Sequence, residues 1–256
     1  MAVFRTNERK IEVVLFDLGN TLLYFDASWP ELIEQSSHEL ARSLEELGYT
    51  LESARFAEKF LQRLQDYYLE RETEFIEHTT AFLLKSLLAE YGYRNIPEKH
   101  VRSVLARMYA ITQVHWRLEE DAHPTLESLK RAGYRLGLIS NAADESDVQT
   151  LVDRNNLRRY FDVLLVSAAV GVRKPHPRIF QMALDHWRVR PEQAVMVGDT
   201  LGADILGAKL AGMISVWITR RAQSPGNRDH EDTIQPDEVI PSLAELPPLL
   251  ARLQEA

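Results

Sequence analysis

The chain has 256 residues, 45% hydrophobic and 27% charged, with no cysteine and a formal net charge of −8. That composition suits a globular protein with one large core or two modest ones, and it excludes a disulfide framework, a thiolate nucleophile and a zinc–thiolate site. The acidic balance argues against nucleic acid or anionic membranes as partners, since both need a clustered positive field, so an anionic ligand must be bound locally.

The N-terminal MAVFRTNERK carries charge but no apolar signal core. The run from Ile11 to Phe16 is interrupted by Glu12 and falls far short of the ~20 residues of a membrane span, which makes a cytoplasmic location the expectation. Val13 to Phe16 is apolar on both faces, as a buried strand of a parallel sheet requires, and it ends at Asp17 in VVLFDLGNTL. Residues 26–117 hold no strand-like run and about four helical segments. Ser28-Trp29-Pro30-Glu31 predicts a helix start with a capping box, and Asn95-Ile96-Pro97-Glu98 predicts a second. Phe56, Phe60, Leu64 and Tyr67 recur at helical spacing, as do Val101, Leu105, Met108 and Ile111, so the block reads as a small bundle. From about residue 118 strands and helices alternate, with apolar runs at Tyr134–Ile139, Val163–Val166, Ala194–Val197 and Ile214–Ile218. Pro124 opens one intervening helix that Gly133 closes, and Pro191 follows another over Ile179–Trp187. Residues 222–237 read as a surface loop before a short last helix. The fold class is α/β, a doubly wound parallel sheet built from residues 1–25 and 118–256, with the bundle of 26–117 inserted after the first strand.

Polar signals follow these strands in order: Asp17, then Ser140-Asn141, then Lys174 in RKP, then Asp199 and Asp204 in VGDTLGAD. An open α/β sheet would gather them along the carboxyl edge of its strands, where such folds bind ligands. Singly, each has an ordinary alternative: Asp17 as a turn former, Ser140-Asn141 as a strand-to-loop turn, Lys174 as a surface lysine, Asp199 as a helix cap with Asp204 solvated. Together they suit a phosphate and a hard cation such as Mg²⁺, which takes a few carboxylates, a carbonyl and waters.

The motifs DLGNT, ISN, RKP and VGDTLGAD, with a helical insertion after the first, resemble those of the haloacid dehalogenase superfamily over nearly the whole chain. The likeness is strongest to its capped phosphatases of small phosphorylated metabolites. It implies a Rossmann-like core with a helical cap at 26–117 and Asp17 as a nucleophile that forms an aspartyl-phosphate. It implies Mg²⁺ held by Asp17, the Gly19 carbonyl and Asp199, with Asp204 on a metal-bound water. Ser140, Asn141 and Lys174 would bind the phosphoryl group, with Thr21 orienting the loop around Asp17.

The departure is Gly19, which stands where those phosphatases carry a second Asp. That acid protonates the leaving oxygen, and a positioned acid/base contributes ~10²- to 10⁴-fold. Asp26, at the entry to the insertion, is a candidate replacement, with an ordinary linker or helix-start Asp the stronger reading. The leading expectation is a Mg²⁺-dependent phosphomonoester hydrolase acting on a small phosphorylated substrate. The alternatives are a 2-haloacid dehalogenase, which uses Asp17 without metal and releases halide without a proton, and a catalytically impaired binding protein on the same fold. Trp29 and Trp116 at the roots of the insertion read as hinge packing, Arg220-Arg221 as a solvated pair, and His123 and His176, each followed by Pro, as loop residues. The sequence leaves the oligomeric state open.

Overall fold

Val13–Phe16 is a short strand whose residues are all fully buried, and the reason is that it has a layer on each side. Val14 and Phe16 pack in a cluster with Leu126, Leu129 and Val148, whereas Val13 and Leu15 pack with Ile179, Phe180 and Leu184 on the other face. The structure is a computed structural model that describes residues 10–74 and 76–255. After β1 (Val13–Phe16) come β2 (Leu23–Phe25) and four helices, α1 (Trp29–Glu46), α2 (Ser53–Glu74), α3 (Thr80–Glu90) and α4 (Glu98–Gln113). The chain returns through β3 (Trp116–Leu118), α5 (Ala122–Arg131), β4 (Arg135–Ser140), α6 (Glu145–Arg154), β5 (Val163–Val166), α7 (Ser167–Val170) and α8 (Pro177–Trp187). It ends with β6 (Ala194–Gly198), α9 (Leu206–Leu210), β7 (Ile214–Ile218), α10 (Pro225–Arg228), β8 (Glu238–Ile240) and α11 (Leu246–Glu255).

The main sheet has the order β5-β4-β1-β6-β7-β8, and every pair in it is parallel. This is the Rossmann-like doubly wound α/β arrangement expected from the alternation of strands and helices. The chain leaves β1 toward β4 on one side and β6 on the other, so β1 marks the topological switch point where such sheets bind ligands. Phe16 lies opposite both Leu138 and Val197. Asp17, Ser140 and Asp199 therefore emerge within a residue or two of one level at the same edge.

The four helices bury a hydrophobic cluster of their own, with Phe56, Phe60, Leu64, Val101, Leu105 and Met108 inside as their spacing requires. Ile111 is only half-buried, because the end of α4 turns Thr112 and Gln113 inward instead. Both expected helix starts are present without their capping boxes. Ser28 precedes α1 but makes no side-chain cap bond, and Pro97 itself occupies the cap position of α4, leaving Asn95 outside the helix. The strands β2, β3 and β8 go unread in the sequence because three residues are too few to show alternation. β2 and β3 pair antiparallel, Leu23 with Leu118 and Phe25 with Trp116, and join the two roots of the bundle. Residues 222–237 include α10 rather than loop alone. Among the described residues no helix is long and apolar enough to cross a membrane.

The bundle core generates a direct test. Phe60 is fully buried, so Phe60→Ala is expected to cost about 3–5 kcal/mol through lost transfer energy and a residual cavity. Urea denaturation followed by circular dichroism should show the matching fall in midpoint.

Candidate active site

Asp17 is the first residue beyond β1, and its backbone N–H still donates to the Val197 carbonyl at 2.9 Å, so the sheet ladder fixes where its side chain starts. Lys174 arrives on the loop before α8 and is buried, 2% exposed. Its ammonium donates to Asp17 Oδ1 at 2.6 Å, to Asp204 Oδ1 at 2.7 Å and to the Ile139 carbonyl at 2.8 Å, which uses all three donors. Asn141 holds the backbone of the same lysine from both sides: its Nδ2 donates to the Lys174 carbonyl at 2.9 Å, and its Oδ1 accepts from the Lys174 N–H at 2.8 Å. Asp204 is carried on a single π-type turn, Leu201–Ile205, a form that recurs at functional sites. Its second oxygen accepts from the Thr200 N–H at 3.0 Å. Gly198 makes the space for it, since a Cβ there would fall 2.2 Å from the Asp204 carboxyl carbon.

Asp17, Asp199 and Asp204 each offer an oxygen within 4.8 Å of the others, and all three residues are buried. Burial raises the Asp17 pKa from its ordinary 3.8 to about 6; Lys174 pulls it down and the Asp204 charge pushes it up. Asp199 is held well above the ordinary carboxylate range by burial and by the charges of Asp17 and Asp204. Burial also works against the Lys174 ammonium, but Asp17 and Asp204 outweigh it and keep its pKa above the usual lysine value. One buried cation against three buried acids leaves negative charge uncompensated. An all-oxygen donor set with that excess suits a hard divalent cation.

These groups open into a cavity of about 880 Å³ also lined by Ser140, Asn141 and Gly19. Thr21 is not part of its lining: it is fully buried, and its hydroxyl has no hydrogen-bond partner. On the side of the bundle the lining includes Phe25, Trp29, Trp116 and Arg71. Phe25 meets Trp29 and Trp116 edge-on, with ring centroids 5.0 and 5.3 Å apart, so the two tryptophans pack at the roots of the insertion and also face the cavity. A Cβ added to Gly19 would lie 3.3 Å from Trp116 Cη2. The indole therefore borders the space that a side chain at position 19 would enter. Asp26 is outside the cavity lining; its carboxylate is largely exposed and faces Arg117 at 3.8 Å. Arg220 is bound by Glu119 and Asp121, and Arg221 pairs with Glu119 and lies over Tyr24, so neither is a plain solvated surface charge.

Several supporting residues escape sequence reading. Asn227, fully buried, accepts from the Leu201 N–H at 2.7 Å and donates to the Asp199 carbonyl at 2.8 Å, which fastens the loop after β7 onto the loop after β6. Trp217 Nε1 donates to the same carbonyl at 2.9 Å. Between α2 and α3, the buried Glu77 accepts from Tyr67 at 2.5 Å and from Ser167 at 2.7 Å, and Arg173 stands 3.7 Å away. Ser167 in turn accepts from the Ala142 N–H at 2.9 Å, so the bundle is tied to the loop that carries Ser140 and Asn141. An isolated polar residue in a loop gives no periodic signal, and only the folded arrangement brings these partners together.

A profile of the haloacid dehalogenase-like hydrolases matches residues 11–212. The chain belongs to that family. Over 244 residues this haloacid dehalogenase-like hydrolase is 30% identical to a glyceraldehyde 3-phosphate phosphatase of Pyrococcus furiosus, covering 95% of both chains. It is 34% identical to a phosphoserine phosphatase of Thermus thermophilus over 142 residues, 56% of this chain and 55% of that one. In structure it is similar to a phosphatase of the same family from Thermococcus onnurineus, at TM-score 0.65, 28% identity and coverage of 94% and 98%. It is similar to a 2-haloacid dehalogenase from Pseudomonas syringae to nearly the same degree, at TM-score 0.63, 26% identity and coverage of 94% and 99%.

The charge balance of the hydrolase can be tested by removing its cation. Lys174→Met leaves Asp17 and Asp204 buried without their ammonium, and breaking a buried pair in this way costs about 3–5 kcal/mol. Asp17 has a folded-state pKa above its unfolded value, so its protonation favours the folded form. Without Lys174, whose charge holds the Asp17 pKa down, the variant's Asp17 takes up its proton at higher pH than the parent's, so the deficit should be largest at the alkaline end and shrink as pH falls toward about 6, as read from urea midpoints across pH 5 to 8.

Proposed function

We propose that this protein is a Mg²⁺-dependent phosphomonoester hydrolase of a small phosphorylated metabolite, working through a phosphorylated Asp17. The observation that carries this reading is the buried Asp17–Asp199–Asp204 cluster around Lys174. Displacement of halide has no use for three acids arranged for a divalent cation. The Gly19 carbonyl, Asp17 and Asp199 would hold the metal and Asp204 a water on it, and the metal when bound would offset charge on the phosphoryl oxygens. Asp17 attacks phosphorus, which divides one displacement into two steps. Ser140 would bind a phosphoryl oxygen, while the Lys174 ammonium, its three N–H groups committed to Asp17, Asp204 and the Ile139 carbonyl, would act through its charge; fixed positive charge beside the phosphoryl group supplies much of the stabilisation that phosphoryl transfer needs. Asn141 serves by fixing the Lys174 backbone. The bundle acts as a cap whose Phe25, Trp29, Trp116 and Arg71 meet the part of the substrate beyond the phosphate. The relatives' names support a compact phosphorylated substrate of a few carbons.

A metal-free 2-haloacid dehalogenase is favoured by one observation, the absence of an acid at Gly19, and the likeness of the fold serves both readings equally. An impaired binding protein would have no chemical use for the full set of Asp17, Lys174 and Asp199. Phosphate release across a metabolite panel, in Mg²⁺ and in EDTA, decides among the three. Phosphate release abolished by EDTA is expected; halide release from 2-haloacids that survives EDTA would establish the dehalogenase, and neither activity would leave the binding protein.

Two variants bear on the site itself. Asp17→Asn is nearly isosteric and should abolish turnover with an unchanged melting temperature; a residual rate within tenfold of the parent would refute a nucleophilic Asp17. Mg²⁺ should raise the parent's melting temperature, since a ligand at 100 times its Kd contributes about 2.7 kcal/mol. Asp199→Asn should lose most of that gain in thermal melts at matched ionic strength.

A further inference from the structure

We infer, on the phosphomonoesterase reading above, that Asp147 is the acid–base group of this site: it protonates the departing oxygen and then deprotonates the attacking water. In the first step an Asp17 oxygen bonds to phosphorus, the bond from phosphorus to the leaving oxygen breaks, and that oxygen takes the electron pair and the proton of Asp147. In the second, water attacks phosphorus, its proton passes to the Asp147 carboxylate, and the phosphorus–Asp17 bond breaks to return Asp17 and free phosphate. Atoms and charge balance, and Asp147 ends as it began.

The geometry points to this residue by position. In-line displacement places the leaving oxygen opposite Asp17, away from the sheet edge and toward the bundle. Asp17, Asp199, Asp204 and Lys174 are committed to one cluster, and arginines stay charged and donate no proton. Among the described residues lining the cavity, that leaves Asp147 and His230 as proton carriers. His230 packs against Gly202, whose added Cβ would lie 3.1 Å from the ring, and so sits beside the turn that carries Asp204. Asp147 lies where bundle meets sheet: Gln113, the last residue of α4, donates to its Oδ1 at 2.8 Å. Asp144 caps α6 by accepting from the Asp147 N–H at 2.9 Å, which fixes where the side chain starts. The Gln113 bond orients the carboxyl and leaves Oδ2 to carry the proton.

The chemistry of the carboxyl suits the task. Burial lifts it to about 7, with the Gln113 hydrogen bond opposing, the Asp144 charge adding and Arg154 opposing. Tyr68 from α2 and Tyr109 from α4 also face it, and burial raises both phenols above their ordinary value, so they stay neutral at pH 7. Arg71, stacked on Tyr68 at 4.3 Å, lines the same cavity. An acid that must donate in one step and accept in the next works best when both forms are populated near the operating pH.

The test compares leaving groups in the full-length protein with saturating Mg²⁺. Asp147→Asn should lower kcat/KM for glycerol 2-phosphate by ~10²-fold or more but for 4-nitrophenyl phosphate by only a few-fold, because nitrophenolate departs without a proton. With 4-nitrophenyl phosphate the variant should show a burst and slow turnover, since hydrolysis of the phosphorylated Asp17 has lost its base. The parent's glycerol 2-phosphate rate should fall as pH rises through about 7, and Gln113→Met, which removes a bond that holds the carboxyl pKa down, should move that fall to higher pH. Equal losses for both substrates with an unshifted pH limb would mean a structural role and overturn the proposal. So would parent-like kinetics of Asp147→Asn, a parent inert toward alkyl phosphates, or transfer of the leaving-group signature to His230→Gln. Asp17→Asn assayed alongside separates the failures: if it still releases phosphate, the phosphomonoesterase reading itself falls, whatever Asp147 does.

Discussion

One ammonium group holds the carboxyl edge of this sheet together. Lys174 bridges Asp17 from the loop after β1 and Asp204 from the loop after β6, and it reaches the Ile139 carbonyl inside β4. Without it, buried carboxylates on adjoining loops would repel one another in surroundings that solvate charge poorly. The grip of Asn141 on the lysine backbone, the space above Gly198 and the clamp of Asn227 all position the partners of that one charge. Excess negative charge remains at the edge of the sheet, which a hard divalent cation would offset.

Overall likeness does not separate the chemistries available to this fold, because a phosphatase and a dehalogenase superpose on it almost equally well. The distinction lies in a few side chains. Asp199 adds a carboxylate that halide displacement has no need of, whereas Gly19 subtracts an acid that phosphate ester hydrolysis ordinarily uses. Function is therefore settled by electrostatics within a few ångströms of Asp17 rather than by architecture.

The parallel strands were legible because both faces of β1, β4 and β6 are covered, which writes them as unbroken apolar runs, and the bundle because each helix has one inward stripe. Asp17, Ser140, Lys174, Asp199 and Asp204 were legible because each sits just past such a run or in a short motif. Other features depend on contacts between distant segments. Asp147 looks like any acid in the first turn of a helix until Gln113, 34 positions earlier, is seen to hold it. Asn227 and Glu77 lie in stretches without periodicity, and the pairing of β2 with β3 involves too few residues to leave a pattern. Asp26 was plausible from its place in the chain, yet its side chain turns to solvent and Arg117.

The ribbon at the root of the bundle bears on how the chain folds. Phe25 and Trp116 pair across about 90 residues, and the Asp26 N–H meets the His115 carbonyl at 2.9 Å. Closing a flexible loop of that length costs about 4 kcal/mol in chain entropy, before any constant term. A bundle that has already formed shortens the loop to a few residues and delivers both ends side by side. The packing of α1 on α4 closes most of that loop within the bundle itself, while β1 must wait for β4 and β6, more than a hundred residues downstream. The insertion that interrupts the sheet in sequence thus also shortens the search by which the sheet is completed.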